Sequence, residues 1–556
     1  MLFASSTRSR SRRVRTVAAT FAAFATALGL TTACGSSDEA GDDNVIKIFA
    51  SQSAQMDLNS NSFTRHLEKK FNVDLRFETT SYEASSATEA RQISLAGGDL
   101  PDAYMLVAWA TQFNQSELLR YGQQGLLVPL NDLIEQHAPD IQAAFEEEPD
   151  FEKFSTAPDG TIWGLPQWND CYHCSYPYKF WINTEWLDNL GLEMPTTPEE
   201  FFDVMVAFKE DDPNGNGKAD EIPLTGNTQN SLVPFIMNAF IYNAFNTGVV
   251  GQPVSLGLNG DTVQVQAAQD GWREGLQFLN RMWEADLIDP AAFSQGPDTM
   301  QATGNSAEGV MVGGATVMHP GLLVTMGQED GRDNQYDPLP PLNGPTGDAA
   351  TYVLPSTPGA TFVVTSAASE AKQQTIVEIM NYIFSPEGHR RAQFGEEGIG
   401  WREPKPDEIA LDESLEPVIV DIPTDEDNPA DYNGNWGPMS QVFDTEEWRN
   451  TQVQPMDIYT LEGAERRFFE ATGLYEGKET DAMFPYWNVW IPLEDGSELS
   501  TLLTNVETYI ATSTAEFVTG VRDPNSDGDW QSYLDGMDGL GVDRYLEIWQ
   551  NAYDAS

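Results

Sequence analysis

Between Asp212 and Glu221 the chain reads Asp-Pro-Asn-Gly-Asn-Gly-Lys-Ala-Asp-Glu, with oxygen-bearing side chains at 212, 214 and 216, a glycine at 217 and carboxylates at 220 and 221. Calcium takes six to eight oxygen ligands at about 2.3–2.6 Å, and alternate residues of a tight loop can aim their oxygens at one centre. The spacing predicts Asp212, Asn214, Asn216, Asp220 and Glu221 as side-chain ligands, with Lys218 contributing its carbonyl and Gly217 taking the sharp bend. The loop departs from the EF-hand pattern, because its twelfth position is Pro223 and no bidentate glutamate stands there. Glu221, at the tenth position, substitutes for it. Calcium held only by protein oxygens is structural, with no position left for chemistry. A second stretch, Asp523-Pro524-Asn525-Ser526-Asp527-Gly528-Asp529, has the first half of such a loop but Gln531 and Leu534 at the ninth and twelfth positions. It reads instead as an Asx turn that caps the following helix.

The other residues with metal or redox chemistry are few. Three cysteines occur, at 34, 171 and 174. Cys171-Tyr172-His173-Cys174 has the CxxC form, but the remaining histidines, His66, His137, His319 and His389, form no cluster with it in sequence that would complete a zinc site. In an oxidising compartment the pair Cys171 and Cys174 is a local disulfide that stiffens one loop. Cys34 has a different setting. Arg8, Arg10, Arg12, Arg13 and Arg15 precede an apolar, Ala-rich run from Val17 to Leu30, and then Thr31-Thr32-Ala33-Cys34. This resembles a bacterial lipoprotein signal, which implies a signal peptide over 1–33, cleavage before Cys34, lipidation of its sulfur and a tether over 34–43. The expected location is the outer face of the cell membrane.

Composition bounds the partners. Eighty-six acidic and 30 basic residues give the 556-residue chain a formal net charge of −56, which repels nucleic acid and anionic membranes. Hydrophobic residues make up 40%, with 14 Trp, 18 Tyr and 28 Phe, enough to fill at least two large lobes. No nucleophile elbow, HExxH or metal triad is present, so the reading is non-enzymatic.

Elements follow from periodicity. Asn44 to Ala50 alternates as a first strand, Ser62 to Phe71 has apolar residues at spacings of four, Val73 to Thr79 is a second strand, Ala87 to Ala96 a second helix and Ala103 to Val107 a third strand. A βαβαβ order predicts a parallel sheet covered by helices, with ligands beyond the carboxyl ends of its strands. Thr197-Pro198-Glu199-Glu200 opens a helix that delivers the chain to the calcium-type loop, and Ala360 to Thr365 followed by Ser369 to Phe384 reads as a further strand and helix.

Several stretches then carry a resemblance. Leu95-Ala96-Gly97-Gly98-Asp99-Leu100-Pro101-Asp102, Gly125-Leu126-Leu127-Val128-Pro129-Leu130, Pro158-Asp159-Gly160-Thr161-Ile162-Trp163-Gly164-Leu165-Pro166, Trp181-Ile182-Asn183-Thr184 and the C-terminal Asp543-Arg544-Tyr545-Leu546 resemble, in order and spacing, the extracellular solute-binding proteins of carbohydrate ABC importers, in their large calcium-containing oligosaccharide-binding subgroup. The resemblance implies an α/β, two-lobed periplasmic-binding-protein-like fold with a hinge and an interlobe ligand cleft. It implies a first lobe over 44–165 and 354–394, and a second over 166–353 and 395–556. It also implies an oligosaccharide ligand, a membrane permease on separate chains as partner, a monomeric state and calcium as a structural cofactor. Trp168 and Trp436 are the first candidates for stacking on sugar, then Trp109 and Trp401, with Asp57, Asn59 and Glu397 as polar candidates. A peptide-binding lipoprotein of the same shape, or an extracellular glycan-active enzyme, is the competing expectation.

Overall fold

The computed structural model describes residues 44–244, 252–347, 349–354, 359–422 and 433–556. The signal segment, the tether and Cys34 lie outside them. Strand β1 (Val45–Ser51) is the centre of the first sheet and pairs in parallel with β2 (Asp74–Thr80) and β3 (Ala103–Met105), with Ile48 opposite Phe77 and Phe49 opposite Tyr104. Its alternate residues supply two cores. Ile46, Ile48 and Ala50 join one cluster, whereas Phe49 on the other face joins Tyr104, Phe113 and Val363. Burial on both faces explains why the strand is apolar almost without interruption towards its end. A fourth strand, Phe362–Val364, closes the sheet antiparallel to β3.

The connecting helices start where their caps say. In α1 (Ser62–Phe71) the Asn61 side chain accepts from the Phe63 and Thr64 amides, and Asn72 ends the helix in the left-handed region at φ 54°. In α2 (Ala84–Ala96) the Glu83 carboxylate caps the Ser85 and Ser86 amides, so the helix begins three residues earlier than periodicity indicates. A charge in a cap does what an apolar pattern cannot register.

The second lobe is built on the antiparallel sheet Gly314–Thr316, Phe180–Asn183, Tyr336–Leu339. Its core gathers Phe180, Trp186, Phe201, Phe208 and Trp272 with the C-terminal helices Leu493–Val518, Asp527–Gly539 and Val542–Tyr553. The crossover leaves the first lobe at Leu165, whose amide donates to the Phe362 carbonyl at 2.9 Å. Gly164 beside it has no room for a side chain, since a Cβ would stand 2.6 Å from the Phe362 oxygen. Further on, Trp168–Asn169 pairs in parallel with Phe443–Asp444.

That pairing alters the expected partition. Trp436, Met439 and Val442, placed by sequence in the second lobe, pack into the core of the first with Phe63, Phe77 and Phe362. Apolar side chains of a returning segment bury in whichever core lies beside it, and sequence position does not say which. Among the described residues no helix is long and apolar enough to cross a membrane.

Candidate functional site

The calcium-type loop follows the helix Pro198–Glu210, which Thr197 caps. Asp212 (φ 48°), Gly215 (φ 67°) and Gly217 (φ 75°) all take left-handed backbone, which coils the loop tightly. The Asn216 amide donates to Asp212 Oδ1 at 3.1 Å and to Asn214 Oδ1 at 3.0 Å, the Gly217 amide to Asp212 Oδ2 at 3.0 Å, and Asn216 Nδ2 to Asp220 Oδ1 at 3.0 Å. These bonds hold the side-chain oxygens of Asp212, Asn214 and Asp220 against donors of the loop itself. Lys218 Nζ pairs with Glu308 at 2.9 Å outside the ring. Glu221 is 2% exposed, and its Oε1 is buried without a hydrogen-bond partner. Burial raises the pKa of this carboxyl, and Asp220 and Asp212 add to the rise. An unpartnered buried carboxylate oxygen is costly unless a proton or a cation meets it, and the oxygen donors of this loop are of the type calcium takes. The Asx stretch at 523–529 behaves as a cap, with Ser526 accepting from the Asp529 amide at the start of a helix.

A groove runs beside the carboxyl ends of the first sheet. The loop after β1 is tied to the segment 433–437, with the Asp57 amide donating to Asn433 Oδ1 at 3.1 Å and Asn61 Nδ2 to the Asn435 carbonyl at 2.6 Å. The loop after β3 is tied in through Gln167, which accepts from the Ala108 amide at 2.9 Å and donates to the Pro438 carbonyl at 2.7 Å. Against this face stands the segment 449–465. Between them lies a cavity of about 380 Å³ whose walls include Gln393, Asn435, Gln441, Gln452 and Gln454. A second cavity of about 640 Å³ continues it, shares Asp421 and Gln454, and adds the apolar surface of Ile409, Met456 and Leu461. Amide side chains offer donor and acceptor at one tip, as a hydroxyl does, so this wall suits polyhydroxylated ligands.

The arginines of the groove are paired. Arg449 Nη2 stands 3.6 Å from Glu465 Oε1, and its Nη1 donates to Asn169 Oδ1 at 3.0 Å. Glu465 Oε1 also lies 2.9 Å from His173 Nδ1. Burial works to raise the Glu465 pKa, but His173 and Arg449 outweigh it and hold the carboxylate below its ordinary value. Arg402 is matched by Glu408, with Nη2 to Oε1 at 2.6 Å and Nη1 to Oε2 at 2.7 Å. Both arginines lining the two cavities are thus neutralised.

The fold is that of the two-lobed substrate-binding proteins of ABC transporters. Over 520 residues the chain is 25% identical to the fructooligosaccharide ABC transporter substrate-binding protein FusA of Streptococcus pneumoniae, covering 90% of this chain and 87% of that one. The structure of FusA in complex with kestose superposes with a TM-score of 0.71 at 24% identity, covering 92% and 99%. That of a FusA EF-hand mutant with fructo-nystose gives 0.68 at 23%, with the same coverage. An extracellular solute-binding protein from Bifidobacterium longum subsp. infantis gives 0.74 at 19% identity, and the alginate-binding protein AlgQ2 without calcium ion 0.64 at 20%; each covers 92% of this chain and 98% of the other. No family model matches the chain.

In this two-lobed frame the seven candidate ligand residues divide. Trp436 is 1% exposed, its ring set edge-on to Phe63 at 5.1 Å and Phe77 at 5.7 Å, and its Nε1 donates to Thr64 Oγ1. It is a core residue with no face for sugar. Trp168 is 7% exposed, lies between Phe151 and Phe154, and donates to Asp170 Oδ2 at 2.8 Å. It supports the crossover. Asn59 is engaged with β2, donating to the Phe77 carbonyl and accepting from its amide, and Asp57 holds the Asn59 amide and Ser60 hydroxyl. Trp109 is 60% exposed and leans on Tyr82 with centroids 5.0 Å apart. Trp401 is half-buried, pairs with Asp421 of the groove and has the Arg390 guanidinium 5.4 Å from its ring centroid. Glu397 is exposed and bridges to Trp401 through backbone.

Sequence reasoning passed over the amide wall. Its only local signal is Gln452-Val453-Gln454, where period-two alternation places two amides on one side of an extended segment. Gln393, Asn435 and Gln441 carry no comparable mark. Cys171 and Cys174 are joined as a disulfide with Cα atoms 5.1 Å apart, next to His173.

Proposed function

We propose that this chain is the extracytoplasmic substrate-binding component of an ABC importer and that it captures a neutral oligosaccharide in the groove between the 433–441 and 449–465 segments. The observation that carries this reading is the amide wall itself, in a fold shared almost end to end with a protein crystallised with kestose. Hydroxyls of a glycan would exchange water for Gln452 and Gln454, and the exposed Trp109 or the Trp401 face would cover C–H patches of a ring. The ion-paired state of Arg449 and Arg402 disfavours uronate chains, because an acidic sugar would meet no unmatched cation on this wall.

Binding works by closure. A ligand that touches both segments is held fully only when they approach, so it draws the population toward the closed form. A permease on separate chains would then read that form. Calcium would be held by Asp212, Asn214, Asn216, Asp220 and Glu221 with the Lys218 carbonyl, and when bound it neutralises the buried Glu221 carboxylate and rigidifies the loop. Lipidation at Cys34 would keep the protein at the membrane.

Isothermal titration of the chain in calcium against neutral fructo-oligosaccharides, human-milk-type glycans, oligogalacturonates and peptides tests the proposal. Micromolar or tighter binding of one neutral class is expected, weakened at least about tenfold, or 1.4 kcal/mol, by Gln454→Ala. Binding confined to peptides, or equal affinity of Gln454→Ala, would refute it.

A further inference from the structure

We infer that Cys171, His173 and Cys174 form a second metal site, of soft thiolate–imidazole type, which opens when the disulfide is reduced. One ligand atom from each residue lies within 4.8 Å of the others. His173 Nε2 stands 3.7 Å from Cys171 Sγ and 3.5 Å from Cys174 Sγ, nearly equidistant from the two sulfurs. A tetrahedral zinc with Zn–S of about 2.3 Å and Zn–N of about 2.0–2.1 Å requires a sulfur–nitrogen separation of about 3.6 Å. Nε2 is therefore already at ligand separation from Cys174 Sγ, whereas Cys171 Sγ, which lies alongside the ring at 3.8 Å from Nδ1 as well, must swing outward to the Nε2 side. The two sulfurs must separate to roughly 3.8 Å by the same geometry.

The ring is fixed independently of the disulfide. Its other nitrogen, Nδ1, lies 2.9 Å from Glu465 Oε1, and its face meets the edge of Phe468 at 5.2 Å. A carboxylate on the second nitrogen sets the tautomer that leaves Nε2 as the lone-pair donor, which is the arrangement that orients metal-bound histidines. The turn that carries the cysteines is clamped as well. Lys179 Nζ donates to the carbonyls of His173 and Tyr176 at 2.7 and 2.6 Å, and the Cys174 amide donates to the Cys171 carbonyl. His173 and Cys171 are buried and Cys174 is half-buried, so the fourth position of a bound ion is left to water entering from the Cys174 side.

The step balances as follows. A thiol-class reductant delivers two electrons to the Sγ–Sγ bond and is itself oxidised to a disulfide, leaving two cysteine thiols. A divalent cation of the zinc class then displaces both thiol protons to solvent and is held by two thiolates and Nε2, with no net charge on the core. This site shares no ligand with the calcium-type loop. Through Glu465, however, it touches the wall of the oligosaccharide groove, so loading it would be felt there.

The test uses the full chain with excess calcium, before and after treatment with a phosphine reductant, titrated anaerobically with cobalt(II). The reduced chain is expected to develop a thiolate-to-cobalt charge-transfer band and tetrahedral d–d absorption that saturate at one cobalt per chain and vanish on adding zinc. The untreated chain should show neither. Cys174→Ser should abolish the two-thiolate band, and His173→Gln should weaken cobalt at least tenfold. The same band in the untreated chain, no band in the reduced one, loss of native circular dichroism on reduction, or unaltered cobalt affinity in His173→Gln would each overturn the inference.

Discussion

The calcium-type loop and the amide groove are built in opposite ways. The loop draws all its side-chain oxygens from ten consecutive residues, and its hydrogen bonds run among them. The groove draws its amides from positions 393, 435, 441, 452 and 454, brought together by a returning segment that packs into the first lobe and a segment that faces it. Spacing along the chain determines direction within a loop, so the first is a local property. The second exists only once the lobes have formed. For the same reason the loop should tolerate changes in the groove, and the groove should exist only in the fraction of the protein that is folded.

The largest expected effect separates core from contact. Trp436→Ala should lower stability by about 3–5 kcal/mol, as for other buried aromatic truncations, while the fraction that stays folded binds glycan with unchanged affinity. Urea denaturation followed by calorimetry on the same preparation distinguishes this from a stacking role, in which affinity would fall and stability would hold.

Calcium removal comes next. Chelation should lower the melting temperature, with a stabilisation of about 4 kcal/mol at calcium a thousandfold above its Kd, and Glu221→Gln should erase most of that dependence. A melting temperature indifferent to chelator would reduce the loop to a hydrogen-bonded turn.

Acidity gives a third test with opposed signs. Glu507, buried in the second lobe, accepts from the Ser255 hydroxyl at 2.6 Å, and burial pushes its pKa from 4.5 to about 7. Between those values the native state keeps a proton that the unfolded chain has lost, so stability falls as pH rises through the window and is flat above it, by at most roughly 3 kcal/mol. Glu507→Gln should remove that slope. Calcium-dependent stability runs the other way, because protonating the loop carboxylates at low pH releases the ion. Thermal melts with and without chelator at pH 5 and 8 would resolve the two.

Trp109→Ala is the mildest. An exposed ring should contribute under about 0.5 kcal/mol to stability, with a loss of about 0.5–1.5 kcal/mol in glycan affinity if it stacks on sugar. Calorimetry showing no change in affinity would remove Trp109 from the site.

What could be read from the chain follows the same division. The βαβαβ order, the Thr197 cap and the alternation at 212–216 are short-range patterns, and the structure carries elements at those places. Periodicity alone starts α2 three residues late, because a capping carboxylate outweighs it. Trp168 follows the crossover and Trp436 sits in a Gly- and Asn-rich stretch, positions that in sequence point to the cleft. Both turned inward, because a large ring next to an apolar core gains more by burial than by waiting for a ligand.

Local chemistry is written along the chain: which oxygens could meet a cation, where the Thr197-capped helix begins, and an acidity that repels polyanions. Only the tertiary structure decided which tryptophans are core and which are open, which lobe owns the 436–442 segment, and which amides share a wall. Those outcomes depend on contacts between residues tens to hundreds of positions apart, and no pattern within a window of the chain records which distant surfaces will meet.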